Sequence, residues 1–287
     1  MKRVIYALLL TFSAYSVVHA QSSYLAGSMH VFQSEVPQQE LVAQVSARLL
    51  SPINSPTEDS IAVTWGDGST GWLFLEQELP LTAEVTERLY IHEHVYPAAA
   101  NYTISSPVCC FSETIANVDQ GATLTLQTEY SFLNPQFQGY NSTVQVLQLE
   151  DAGLVDEPLE FLPLPIDGDN DSIIVSIADL QGSIPGYQPV NIVDPGGLGT
   201  LIVEDSSVGL TIWESPSIAG KSYIVPLLVE DFRNGQRVSS SLLYYWIRVV
   251  MPTSTTTASK PSLKVFPNPA SQTLQVQTEN PTQWSGV

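Results

Sequence analysis

Residues 222–250 read SYIVPLLVEDFRNGQRVSSSLLYYWIRVV, and the period of two in that stretch decides the class of fold. Tyr223, Val225, Leu227 and Val229 fall on one side of an extended chain. Leu243, Tyr245, Ile247 and Val249 repeat the spacing after a turn. Successive side chains of a strand point to opposite faces, so alternate apolar residues line one buried face. Between the two runs, Asn234-Gly235 supplies two residues that tolerate positive φ, a strong hairpin signal. Glu230 and Arg233 are placed to pair across that turn. Such a surface pair contributes only about 0–1 kcal/mol, so its expected role is to set register rather than to bind.

The same alternation extends outward through the chain. Ile61, Val63 and Trp65 share a face, as do Leu73 with Leu75, Leu124 with Leu126, Val144 with Val146, and Val175 with Ile177. Gly, Pro, Asn and Asp punctuate these runs at short intervals, the pattern of an all-β sandwich protein. The one helical feature expected is a short turn within 83–90. The segment 134–141, with Pro135 and Gly139, reads as a boundary between a first sandwich at 23–130 and a second at about 140–250. Residues 251–261, MPTSTTTASKP, are too poor in apolar groups to fold and read as an extended linker. In 262–287, Leu263-Lys264-Val265-Phe266 and Leu274-Gln275-Val276 read as two short strands around Pro267-Asn268-Pro269, an incomplete β segment.

Composition narrows the partners. The 287 residues carry a net charge of −19, only 14% are charged against a usual share of about 25%, and 44% are apolar. The core is therefore ordinary and the surface is neutral-polar with an acidic excess. Ten Lys and Arg offer no clustered patch for phosphate, which argues against nucleic acid and against anionic membrane. A cation, a neutral glycan or another protein remain as partners.

Residues 1–20 carry Lys2 and Arg3, an apolar stretch from Val4 to Phe12 and a small-residue site at Val18-His19-Ala20, the layout of a secretory signal peptide. No later apolar stretch approaches 18 residues, so no transmembrane segment is expected in the mature chain. Secretion permits disulfides, yet the two cysteines, Cys109 and Cys110, are adjacent. They can close a small ring, stay free, or pair between chains.

The candidate site residues are acidic. Asp167-Gly168-Asp169-Asn170-Asp171-Ser172 places three carboxylates at alternate positions, where they can converge on a hard cation such as calcium. Ser172 and Ala178 occupy the sixth and twelfth positions, which excludes an EF-hand loop. The alternative is a solvated acidic turn. His92 and His94 stand two apart, as a zinc pair would, but no third ligand is indicated. No G-x-S-x-G elbow, H-E-x-x-H pair or phosphate-binding glycine loop occurs, so no catalytic residue is assigned. Trp72, Tyr187 and Trp213 are candidate aromatic contacts for sugar or protein.

Several motifs resemble known families. Trp65-Gly66-Asp67-Gly68-Ser69, followed by His94-Val95-Tyr96-Pro97 and Tyr102-Thr103-Ile104, resembles the polycystic-kidney-disease (PKD) domain, an immunoglobulin-like sandwich. Val63 stands where that family usually has its buried tryptophan, and Ala100 where it has glycine. The acidic turn at 167–172 more loosely resembles those of cadherin-like sandwiches. Glu230-Asp231-Phe232-Arg233-Asn234-Gly235 is similar to the E-W-R-x-G turn that follows PKD modules in secreted proteins, with Phe232 in place of tryptophan. Lys264-Val265-Phe266-Pro267-Asn268-Pro269-Ala270-Ser271 resembles the opening of the C-terminal sorting domain of the type IX secretion system, here truncated.

These resemblances imply tandem immunoglobulin-like sandwiches, PKD-like then cadherin-like. They also imply export by the type IX secretion machinery to the outer surface or medium. The expected role is non-catalytic adhesion or display; the alternative is an accessory glycan-binding portion of a secreted enzyme.

Overall fold

Ile61, Val63 and Trp65 are all buried, and so are all four alternate residues on each side of the Asn234-Gly235 turn. The alternation therefore becomes strand faces, and the chain is all-β. The structure is a computed structural model and describes residues 22–194, 201–252, 263–266 and 275–278. The expected signal peptide at 1–20, most of the linker at 251–261 and the Pro267-Asn268-Pro269 turn lie outside the described residues.

The first seven strands are β1 (Ala26–Gln33), β2 (Val42–Pro52), β3 (Ser60–Thr64), β4 (Thr70–Pro80), β5 (Val85–Val95), β6 (Asn101–Val108) and β7 (Leu124–Ser131). They form two layers, β1-β2-β5 and β4-β3-β6-β7, joined where β4 also pairs β5 past a bulge between Leu75 and Gln77. That ordering is of the immunoglobulin-like, Greek-key kind. The layers meet closely: a Cβ on Gly27 of β1 would lie 3.0 Å from Leu126 Cδ2 of β7 in the other layer. The turn expected within 83–90 is instead part of β5, which pairs β2 from Pro52↔Val85 to Val42↔Val95. Thr86, Arg88 and Tyr90 alternate inward there, and the continuous ladder outweighs any local helical preference. Buried Arg88 is satisfied by Glu78 Oε1 (3.0 Å), Pro56 O (2.9 Å) and Ser55 O (2.7 Å).

The β3–β4 hairpin is locked from a distance. Asp67 accepts from Ser69 N (2.8 Å) and Ser69 Oγ (2.6 Å), and its other oxygen lies 2.8 Å from His94 Nε2. The His94 ring stacks flat on Trp65, centroids 4.5 Å apart, and meets Tyr96 edge-on at 4.6 Å. Tyr96 donates to Trp65 O (3.2 Å). Gly66, at φ +85°, lets this turn approach β6: a Cβ there would sit 2.6 Å from Thr103 O.

Nine further strands complete the larger unit: β8 (Gln145–Val146), β9 (Glu150–Leu154), β10 (Leu159–Phe161), β11 (Pro165–Ile166), β12 (Ser172–Ile177), β13 (Leu201–Asp205), β14 (Leu210–Trp213), β15 (Ser222–Arg233) and β16 (Gln236–Val250). Asn234 (φ 53°) and Gly235 (φ 78°) make the tight turn between β15 and β16. The register runs from Arg233↔Gln236 to Ser222↔Arg248. β12 flanks β15, and β9 runs parallel to the end of β16. The small sheet β10-β14-β13 contributes to the same core: Trp213 meets Tyr223 edge-on at 5.2 Å and Phe161 stacks on Tyr245 at 4.9 Å.

β16 serves both groups of strands. Its first half pairs β7 from Ser239↔Tyr130 to Leu242↔Gln127, and Tyr244 pairs Gly27 of β1. Two single-turn helices, α1 (Pro135–Gln138) and α2 (Val190–Val193), interrupt the strands. The chain after α1 is packed rather than open: buried Asn141 donates to Ser131 O (2.9 Å), and its carbonyl accepts from Tyr130 Oη (2.7 Å). Cys109 and Cys110 are joined to one another as a disulfide, the ring among the three arrangements open from sequence. The chain divides into two compact units at Val250/Met251. In the second, β17 (Leu263–Phe266) and β18 (Gln275–Thr278) form an antiparallel pair with Val265 opposite Val276.

Candidate functional site: an acidic pocket and an aromatic strip

The acidic turn joins β11 to β12. Asp167 Oδ2 accepts from the backbone N–H groups of Asp169 and Asp171, and Asn170 takes φ 62°, so the loop folds back over its own first carboxylate. This is the behaviour expected of Asp and Asn, whose short side chains bond their own backbone two residues on. The three loop carboxylates then part company. Asp169 accepts from Ser142 N and Ser142 Oγ and lies 3.3 Å from Arg233 Nη2. Asp171 takes a two-pronged bond from Arg233, Nε to Oδ1 and Nη2 to Oδ2, both 2.8 Å. Asp167 and Asp171 are brought together with Asp231 of β15, one oxygen from each lying within 4.8 Å of the others.

Arg233 is thus not the partner of Glu230. Its guanidinium also donates to Gln138 O (2.7 Å) and Tyr140 O (2.8 Å), while Glu230 takes Arg237 at 2.7 Å. A fork of planar donors suits the Asp171 carboxylate better than a flexible glutamate across a two-residue turn.

Asp231 was not a candidate from the motif, but the alternation contains it. It continues the odd-numbered stripe of Tyr223, Val225, Leu227 and Val229, and like them it is inside, at 0% exposure. A bulge between Asp231 and Phe232 leaves Val238 as the extra residue opposite, so Asp231 faces Ser239. Such bulges re-aim side chains at the ends of ladders. Neither Asp231 oxygen has a hydrogen-bond partner, and Asp167 Oδ1 and Ser239 Oγ beside it have none either. Burial pushes the Asp231 carboxyl up to about 7, the nearby Ser239 hydroxyl and N–H pulling it down and the Asp167 and Asp171 charges adding to the rise. Burial also raises Asp167, against the Asp171 N–H that favours its ionised form. The donor set is oxygen alone, chemistry that suits a hard cation rather than zinc.

The histidines have other work. His94 is held by Asp67, Trp65 and Tyr96, and His92 lies edge-on against Phe74 at 5.5 Å. Of the three candidate aromatics, Trp213 and Tyr187 are core residues. Trp72 is 54% exposed on β4, and Phe74, two residues on, is 51% exposed. Their spacing puts both rings on the outer face of that strand, opposite buried Leu73.

No family model and no curated protein matches the chain. A solved chimeric tandem of titin Z1Z2, functionalised with a GRGDS peptide from fibronectin, aligns over 71% of this chain and 90% of its own at 11% identity, with a TM-score of 0.24. The all-β assignment stands on the strands themselves. Among the described residues no helix is long and apolar enough to cross a membrane.

Proposed function

We propose that this chain is a non-catalytic module displayed outside the cell, exported through type IX secretion, and that it attaches to a neutral glycan through the Trp72–Phe74 strip. The observation that carries the reading is a pair of large rings, Trp72 and Phe74, both more than half exposed on the outer face of β4 on either side of buried Leu73. Aromatic faces stack on the apolar faces of sugar rings, and such exposed aromatic surface is costly unless something covers it. A net charge of −19 disfavours anionic polymers, leaving neutral ones. The interlocked Trp65, Asp67, His94 and Tyr96 support a PKD-like first half, and the acidic β11–β12 turn supports a cadherin-like second half. The signal-like residues 1–20 and the Lys264–Ser271 motif support export.

The test is retention of the purified chain on neutral polysaccharides, by affinity electrophoresis and pull-down. Retention should fall roughly tenfold in Trp72→Ala, the loss of one stacking contact worth about 1.5 kcal/mol, with the urea midpoint unchanged. No retention of the parent chain, or equal retention of the variant, refutes the reading.

A further inference from the structure

The structure assigns a calcium-class cation site to Asp167, Asp171 and Asp231, with Asp231 as the ligand that closes it from the strand side. Three carboxylates offer one oxygen each within 4.8 Å of one another, two from the loop and one from the β15 bulge. Clustered acids alone would say little. The deciding observation is independent of the cluster: Asp231 is 0% exposed, and neither of its oxygens receives a hydrogen bond of normal geometry, Ser239 being the donor group beside it.

A buried carboxylate without donors is costly, and it must acquire either a proton or a cation. Among the described residues, the cation at the cluster, Arg233, does not serve it. The Arg233 donors are directed to Asp171, Gln138 O and Tyr140 O, with Asp169 alongside. Four carboxylates against one guanidinium leave an excess of three negative charges when all are ionised.

The surroundings favour a cation over a proton. A single proton on Asp231 could be shared with Asp167, but it would remove only one of the cluster's negative charges and leave Asp167 and Asp171 to share the same small space. A divalent ion takes several oxygens at once, and calcium accepts the irregular geometry of a loop plus a strand more readily than magnesium. Its binding would tie the β11–β12 loop to the core hairpin. Through Asp169 on Ser142, and Arg233 on Gln138 and Tyr140, it would also stiffen the 138–142 segment.

The experiment uses the full chain, melted in 1 mM CaCl2, in 1 mM MgCl2 and in EGTA at matched ionic strength, with calcium titrated by calorimetry. A site half-filled near 10 μM should raise the midpoint by roughly 5–10 °C in calcium, and by less in magnesium. Asp231→Asn resembles the protonated side chain in size and charge and should fold, yet lose the calcium shift and the calorimetric signal. Asp205→Asn removes one charge from an exposed turn and should keep both. No calcium shift in the parent chain would make Asp231 a buried neutral acid and overturn the assignment. Retention of the shift in Asp231→Asn would overturn it too, as would its loss in both variants, which marks a general charge effect.

Discussion

Substituting Asp67→Asn should destabilise the chain at neutral pH and hardly at all in acid. The Asp67 carboxylate receives three hydrogen bonds, from Ser69 N, Ser69 Oγ and His94 Nε2. Desolvation alone would raise its carboxyl, but the Ser69 hydroxyl, His94 and the Ser69 N–H together hold it down at about 2. In the unfolded chain an aspartate titrates near 4. The folded value is the lower one, so the stabilisation is fully present above the unfolded value and is lost as pH falls from about 5 toward 2. The difference between 4 and 2 is worth at most about 2.7 kcal/mol. Solvent screening at the turn reduces this to about 1–2 kcal/mol. Asparagine keeps an acceptor for Ser69 but not the charge.

Urea unfolding of both proteins at half-unit intervals from pH 2.5 to 7 isolates the effect, because every other carboxyl cancels in the difference. The gap should be about 1–2 kcal/mol at pH 6 and shrink to a few tenths by pH 2.5. A gap independent of pH would refute the reasoning, since it would mean the side chain contributes by shape and not by its ionised form.

Three further substitutions test the framework. Gly66→Ala should cost about 2–4 kcal/mol, combining positive φ with a Cβ driven against Thr103. Gly68→Ala, at φ +91° but with nothing within 4 Å, should cost only about 1 kcal/mol; equal urea midpoints would show that the close approach to β6 is immaterial. Asn117→Ala should cost about 2–4 kcal/mol. Its side chain brackets Ile224, donating to Ile224 O (2.9 Å) and accepting from Ile224 N (2.9 Å), while also donating to Gln188 O (3.1 Å). A calorimetric loss below 0.5 kcal/mol would mean water replaces those bonds.

Much of the scaffold was legible because apolar alternation is a local property. Val225 and Tyr245 sit opposite one another inside the molecule for the reason their spacing announces, and Asn234-Gly235 turns the chain with the positive φ its residues tolerate. Position 83–90 misled because Val85, Thr86 and Tyr90 owe their strand to β2, some forty residues earlier. Exposure was least legible. Trp72, Tyr187 and Trp213 look alike as isolated aromatics, and only the packing of Trp213 on Tyr223 separates core from surface. Asn117 carried no signal at all, since a side chain imitating a ladder partner has no motif.

The acidic pocket shows where a motif and a period disagree and why the period has more to say. Alternate loop positions suggest that Asp167, Asp169 and Asp171 converge, but Asn170 at φ 62° breaks the regular geometry on which alternation depends. Asp169 is free to turn toward Ser142 and Arg233 instead. On β15 the geometry does hold, and there an aspartate stands at the end of a stripe of four buried apolar residues. Opposite it on β16, the apolar stripe gives way to Ser241 and Ser239. Ser241 is paired, its Oγ lying 3.1 Å from Thr128 Oγ1. Ser239 makes no side-chain hydrogen bond of normal geometry, and it faces Asp231. Were Asp231 there only to terminate the hairpin, an outward position would have solvated it at no cost. Its place on the inner face, against a hydroxyl and two more carboxylates, is what the proposed cation would use, and the calcium-dependent melt of Asp231→Asn decides between that guest and a shared proton.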